Sequence, residues 1–181
     1  MDNTLEEVVR AGDHEAAEKP PRWLEVWLPM VIVAADQATK ALIRAMLPLH
    51  ESRTIVPGLV DFTHVLNSGA AFGILNGTEF PFKTVLIAAI ATAALVGVGM
   101  YAASLAHHQL IARLGLALII GGAAGNLIDR VVAGSVVDFV DVYWRSHHFW
   151  AFNVADSAIS VGVTIMILDM LGTGAHVSKT V

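Results

Sequence analysis

The chain contains no cysteine. Disulfide staples, thiolate nucleophiles and zinc–thiolate centres are excluded at once. Charge is scarce as well: Asp, Glu, Lys and Arg make up 15% of the 181 residues, against about 25% in an ordinary soluble domain. The balance is acidic, with a net charge of −5. No stretch gathers lysine and arginine into the basic patch that neutralises phosphates, so no nucleic-acid partner is expected. Residues 1–22 lack the pattern of a secretory leader, which starts basic and reaches its apolar core early. They open with Asp2, Glu6 and Glu7, stay polar and end in Pro20-Pro21. A zinc-protease helix is missing too, because His14-Glu15 is not followed by the second histidine of HExxH. No cluster of histidines and carboxylates has metal-ligand spacing, so neither metal nor other cofactor is expected.

What is present is apolar. Hydrophobic residues make up 55% of the chain and the mean hydropathy is +0.63, which together read as an integral membrane protein. Four stretches approach the roughly 20 residues needed to cross a bilayer, at about 23–46, 84–106, 110–128 and 149–171. The expected fold class is therefore an all-α integral membrane protein with four transmembrane helices. Two connecting segments, 47–81 and 131–148, carry strand signals. TIV, Pro57-Gly58 and LVDFTHV read as a hairpin, and VVDFVDVYW is rich in strand formers. The expected division is a mobile acidic tail over 1–22, a four-span unit over 23–172 and a short tail over 173–181.

Lysine and arginine placement favours cytoplasmic termini only five to four: Arg10, Lys19, Arg22, Arg113 and Lys179 against Arg44, Arg53, Lys83 and Arg145. On that reading the β-rich segments face outward. Trp144, Phe149, Trp150 and Phe152 fall where the fourth span should meet the headgroups.

Polar residues inside these spans are expensive and need a reason. Asp36 and Lys40 stand one helical turn apart, about 18 and 24 Å into the first span. They can pair, and Lys40 can also extend toward the outer interface. Asn126, Asp129 and Arg130 end the third span at the level where Asn153 and Asp156 begin the fourth. Without a catalytic role, Asp129 and Arg130 form an interfacial charge pair, the two asparagines bridge helices, Asp138 pairs with Arg130, and Asp156 caps its helix. Gly121, Gly122 and Gly125 read as a close-packing surface. The His107-His108 and His147-His148 pairs read as solvated loop residues.

Five blocks, DQATK (36–40), NSGAAF (67–72), GGAAGNLIDR (121–130), VVDF (136–139) and FNVAD (152–156), occur in the order seen in the bacterial lipoprotein signal peptidases, signal peptidase II, which the chain closely resembles from 24 to about 170. The resemblance implies an aspartic endopeptidase of the bacterial plasma membrane, active on its extracytoplasmic side; contact with membrane lipids and a monomeric state are expected beside it. Its substrates would be lipid-modified prolipoproteins, cut on the N-terminal side of the lipidated cysteine. It also implies Asp138 and Asp156 as the catalytic pair, with Asn67, Asn126, Arg130, Asn153, Asp36 and Lys40 binding substrate or supporting the pair.

The chemistry agrees with that expectation. Two carboxylates a few Å apart cannot both ionise comfortably, so one keeps a proton while the other activates water. A start-of-helix position favours a charged Asp156, the better base. An ion- or proton-coupled transporter would also bury acids, but it calls for repeated halves with broken helices, and no repeat is present. A noncatalytic assembly protein would use the glycines and aromatics but not two converging aspartates. A serine protease is disfavoured by the lack of a GxSxG elbow.

Overall fold

A computed structural model describes residues 23–69, 82–145 and 147–177. The acidic tail, the last part of the NSGAAF block and Ser146 lie outside the described residues. The elements run α1 (Trp23–Met46), β1 (Ser52–Val56), β2 (Val60–Asn67), α2 (Lys83–Ser104), α3 (Leu110–Ala133), β3 (Val136–Trp144), β4 (His147–His148) and α4 (Val154–Val177). Each helix is long and apolar enough to cross a membrane. Their outer faces carry exposed large apolar side chains such as Trp27, Val31, Ile90, Met100, Ile167 and Leu168, as helices bathed in hydrocarbon must.

Small residues bring the helices together. A Cβ on Gly121 would meet the Pro29 backbone of α1 at 2.9 Å, and one on Gly122 would meet the Ala155 carbonyl of α4 at 2.3 Å. Gly115 and Gly162 make a second close crossing between α3 and α4, where a Cβ on Gly162 would lie 2.6 Å from the Gly115 carbonyl. Without a hydrophobic drive between helices in lipid, such close backbone approach is how packing is gained. α3 is thus the central helix, touching α1 on one side and α4 on the other. α2 packs chiefly on α3 and buries only Lys83.

The four strands form one antiparallel sheet in chain order. β1 and β2 turn through Pro57-Gly58, with φ +79° at Gly58 and Leu59 N–H donating to the Val56 carbonyl at 3.0 Å. Proline sets the first corner of that turn and glycine takes the positive φ of the second. Ile43, Val137 and Phe139 form the buried cluster that seats the sheet on the end of α1.

Three span boundaries differ from the sequence expectation, the plainest being the far end of α4, which runs to Val177 and takes in the start of the expected 173–181 tail. α3 continues past Asp129 and Arg130 to Ala133, where Gly134 at φ +76° closes it with its N–H on the Arg130 carbonyl. α4 begins at Val154 instead of near residue 149. The preceding residues are held extended against β3: Phe152 accepts from Phe139 N–H at 3.0 Å and Val140 N–H at 2.8 Å, and Phe149 N–H donates to Val142 at 2.7 Å. Apolarity alone could not separate that extended run from helix.

Candidate active site

Three structural events converge at one end of the bundle. α1 and α3 run in the same direction, shown at the far end by the Arg113–Glu25 ion pair of 2.6 Å between their first turns. α4 runs back from the near end, so its N-terminus meets the last turns of both. β3 then passes beside the start of α4 through the Val140–Phe152 pairing, which sets Asp138 next to Asn153.

The start of α4 is a reciprocal capping box. Asn153 Oδ1 accepts from Asp156 N–H at 2.9 Å, and the Asp156 carboxylate accepts from Asn153 N–H at 3.2 Å. Asn153 is therefore the cap, and Asp156 is the acid three residues on. The Ala155 N–H between them is satisfied from another helix, by Asp36 Oδ1 at 3.0 Å. Helix starts leave such N–H groups without intrahelical partners, and here two side chains supply them.

With its oxygen turned to that backbone, Asn153 has its Nδ2 free for Asp138 Oδ1, at 2.7 Å. Asn67 Nδ2 donates to the other Asp138 oxygen at 3.1 Å. In the β2–β3 register Val65 faces Asp138 and Asn67 faces Val136, so Asn67 and Asp138 are diagonal neighbours on one face of the sheet. Asn126 Nδ2 donates to Asp156 Oδ1 at 2.8 Å. All four carboxylate oxygens of Asp138 and Asp156 thus have a nitrogen donor. Asp138 is 4% exposed, and its carboxyl is pushed up to about 6. Burial is the main cause and the neighbouring Asp156 charge the second, while the hydrogen bonds from Asn67 and Asn153 and the Lys40 charge pull the other way.

The remaining polar residues singled out in the sequence join the same network. Lys40 pairs with Asp36 at 2.7 Å and reaches Asn126 Oδ1 at 2.9 Å. It does not extend toward the interface: it is 0% exposed, because Asp36, Asn126 and Asp129 surround its ammonium. Asp129 does not pair with Arg130 either. It lies 2.8 Å from Lys40 and 3.1 Å from Arg44, since continuing the helix through 129–130 turns successive side chains to different sides. Arg130 donates to the Asn126 carbonyl at 3.1 Å and the Gly69 carbonyl at 3.2 Å, and forms no ion pair with Asp138 among the described residues. Its charge still lies in the field of Asp156, Asp138 and Asp129. Gly125 leaves the room this needs, for a Cβ there would fall 2.7 Å from Asp36 Oδ2.

Sequence reasoning left Gln37, Arg44 and Asp129 out of the site, although Asp36, Lys40 and Arg44 repeat every fourth residue along one face of α1. Gln37 donates to the Gly125 carbonyl at 3.1 Å. His148 is exposed, as expected of a solvated residue, but it lies in β4 and its ring has partners. Its Nδ1 lies 2.8 Å from Asp141 and its ring stacks on Tyr143, with centroids 5.0 Å apart.

Residues 28–172 match the family model described as Signal peptidase (SPase) II. The chain belongs to the signal peptidase II family. It is 44% identical over 149 residues to the lipoprotein signal peptidase of Geobacter metallireducens, covering 82% of this chain and 91% of the relative. Against that of Syntrophotalea carbinolica it is 46% identical over 138 residues, 76% and 84% of the two chains. A bacterial membrane enzyme solved by the in meso method at 2.3 Å superposes with a TM-score of 0.75 at 30% identity, over 84% of this chain and 90% of the other. Family membership makes the protein a peptidase of the membrane, with several spans.

Proposed function

We propose that this signal peptidase II is an aspartic endopeptidase that removes the signal peptide of diacylglyceryl-modified prolipoproteins, on the N-terminal side of the lipidated cysteine. The observation that carries this reading is the pairing of Asp138 and Asp156 across Asn153, which touches both carboxylates. Asp138 holds the shared proton and Asp156 acts as base. Asp156 takes a proton from water as the water oxygen attacks the scissile carbonyl carbon. Asp138 gives its proton to the carbonyl oxygen, and the tetrahedral intermediate collapses with proton transfer to the leaving amine. Asn67, Asn126 and Asn153 hold the carboxylates in place, and Arg130 meets the substrate. Among the described residues no three of His, Asp and Glu are grouped to hold a metal ion, and the step is drawn with the two carboxylates alone.

The catalytic unit is residues 23–172, in the bacterial inner membrane as a monomer, with both tails cytoplasmic and the sheet outside. At that depth a soluble peptide has little to offer, whereas acyl chains contribute roughly 0.8 kcal/mol per buried methylene and carry the scissile bond to the site. The test is purified protein in detergent with precursor before and after diacylglyceryl transfer, with and without chelator. Asp138→Asn and Asp156→Asn should each lose cleavage by at least about a thousandfold while remaining folded, and Asp141→Asn should keep most of it. An active Asp138→Asn protein, equal cleavage of unlipidated precursor, or activity lost to chelator and restored by zinc would overturn the reading.

A further inference from the structure

Lys40 sits fully buried on a helix that shows lipid a broad apolar face. An ammonium group only donates, so every atom it touches must accept. Its Nζ donates to Asp36 Oδ2 and Asn126 Oδ1 and stands 2.8 Å from Asp129 Oδ2, which takes no aligned hydrogen bond. The atom of the Asn126 amide that faces Lys40 is therefore the oxygen. Its Nδ2 is left on the other side, where it meets Asp156 Oδ1. Turned over, the amide would set its NH2 against the ammonium and against Asn153 Nδ2, and its oxygen against a carboxylate oxygen. Every one of those contacts is mismatched.

We infer that Lys40, held between Asp36 and Asp129, is a positioning residue for Asp156: it fixes the direction of the Asn126 amide and so keeps a donor on that carboxylate. This rests on the proposed assignment of Asp156 to the catalytic pair. The charged groups that meet here are Asp36, Lys40 and Arg44 of α1, Asp129 and Arg130 of α3, Asp138 of β3 and Asp156 of α4. Lys83, at the start of α2, lies over Ser68 beside Asn67. Lys40 is central among the cations, and its charge reaches the Asp138 carboxyl as well as Asn126.

Two substitutions of opposite electrostatic sign test the inference. Lys40→Gln removes the cation and presents Asn126 with a group that can donate or accept, whereas Asp129→Asn keeps Lys40 and removes an anion beside it. Both are assayed with lipid-modified precursor across pH, alongside Asp156→Asn and a thermal melt of each protein. Lys40→Gln should lower kcat by about tenfold or more with KM within about twofold, and move the acid limb of the kcat profile up by about one unit. Asp129→Asn should move that limb down. Limbs that stay put, or move in the same direction, while Asp156→Asn is inactive would make Lys40 a structural tie and overturn this inference alone. Full activity of Asp156→Asn would remove the catalytic assignment and the inference with it. If Lys40→Gln is not recovered folded, the direction of the limb in Asp129→Asn decides.

Discussion

Asp138 is the residue whose surroundings most change its chemistry. Its carboxyl sits at about 6 in the folded protein against an ordinary value of 3.8, so as pH rises the unfolded chain releases this proton first. A group raised in this way supports the fold most below the unfolded value, and its contribution falls as pH rises through the folded one. Asp138→Asn lacks that dependence. Its thermal stability relative to the parent should therefore improve between about pH 4 and about pH 8, by the equivalent of about 1–3 kcal/mol; a constant difference across that range would mean that the burial of Asp138 carries no such penalty. That Asp138 and Asp156, the two acids proposed as the pair, stand apart was legible because acids in VVDF and FNVAD interrupt otherwise apolar sequence. Their partners were harder to see. Asn67 reaches Asp138 through a strand register, and Asp129 reaches Lys40 across two helices, and neither relation leaves a spacing in the chain.

Among the elements, α3 carries the assembly because glycine lets it lie against two neighbours. Gly122→Ala would drive a methyl into the Ala155 carbonyl at 2.3 Å, and the atom it meets is backbone, which cannot rotate away. That substitution should destabilise the protein by about 1–3 kcal/mol and reduce cleavage, because Ala155 stands between the cap and Asp156. Gly97→Ala on α2 meets nothing within 4 Å and should be neutral or slightly stabilising, since alanine is the better helix former by about 1 kcal/mol. Thermal melts of the two variants in the same detergent decide; equal losses would deny α3 its role. The hairpin at Pro57-Gly58 and the strand nature of VVDFVDVYW could be read from composition. The start of α4 could not, because Phe149–Phe152 are as apolar as the helix they precede and only pairing with β3 holds them out of it.

For the whole molecule, the helix directions tie the sheet and the polar cluster to one side of the membrane and the Arg113–Glu25 pair to the other. A chain without cysteine makes the sidedness simple to measure. A single cysteine replacing Arg53 should react with an impermeant thiol reagent in intact spheroplasts, and one replacing His108 should react only after lysis. The reverse pattern would put the site on the wrong face for an exported precursor. Fold class and the order of spans were legible because hydropathy and length are additive along the chain, whereas the packing of α1 against α4 depends on Asp36 and Ala155, 119 residues apart. That separation bears on how the protein is made. When α1 leaves the ribosome, neither Asn126 nor the start of α4 exists, and each lone charge at a helix centre costs about 2.5–3.5 kcal/mol to insert. Asp36 and Lys40, 2.7 Å apart on successive turns, give α1 its own counterion during that interval. The same pair lets the first helix wait in lipid for the three that have not yet been synthesised.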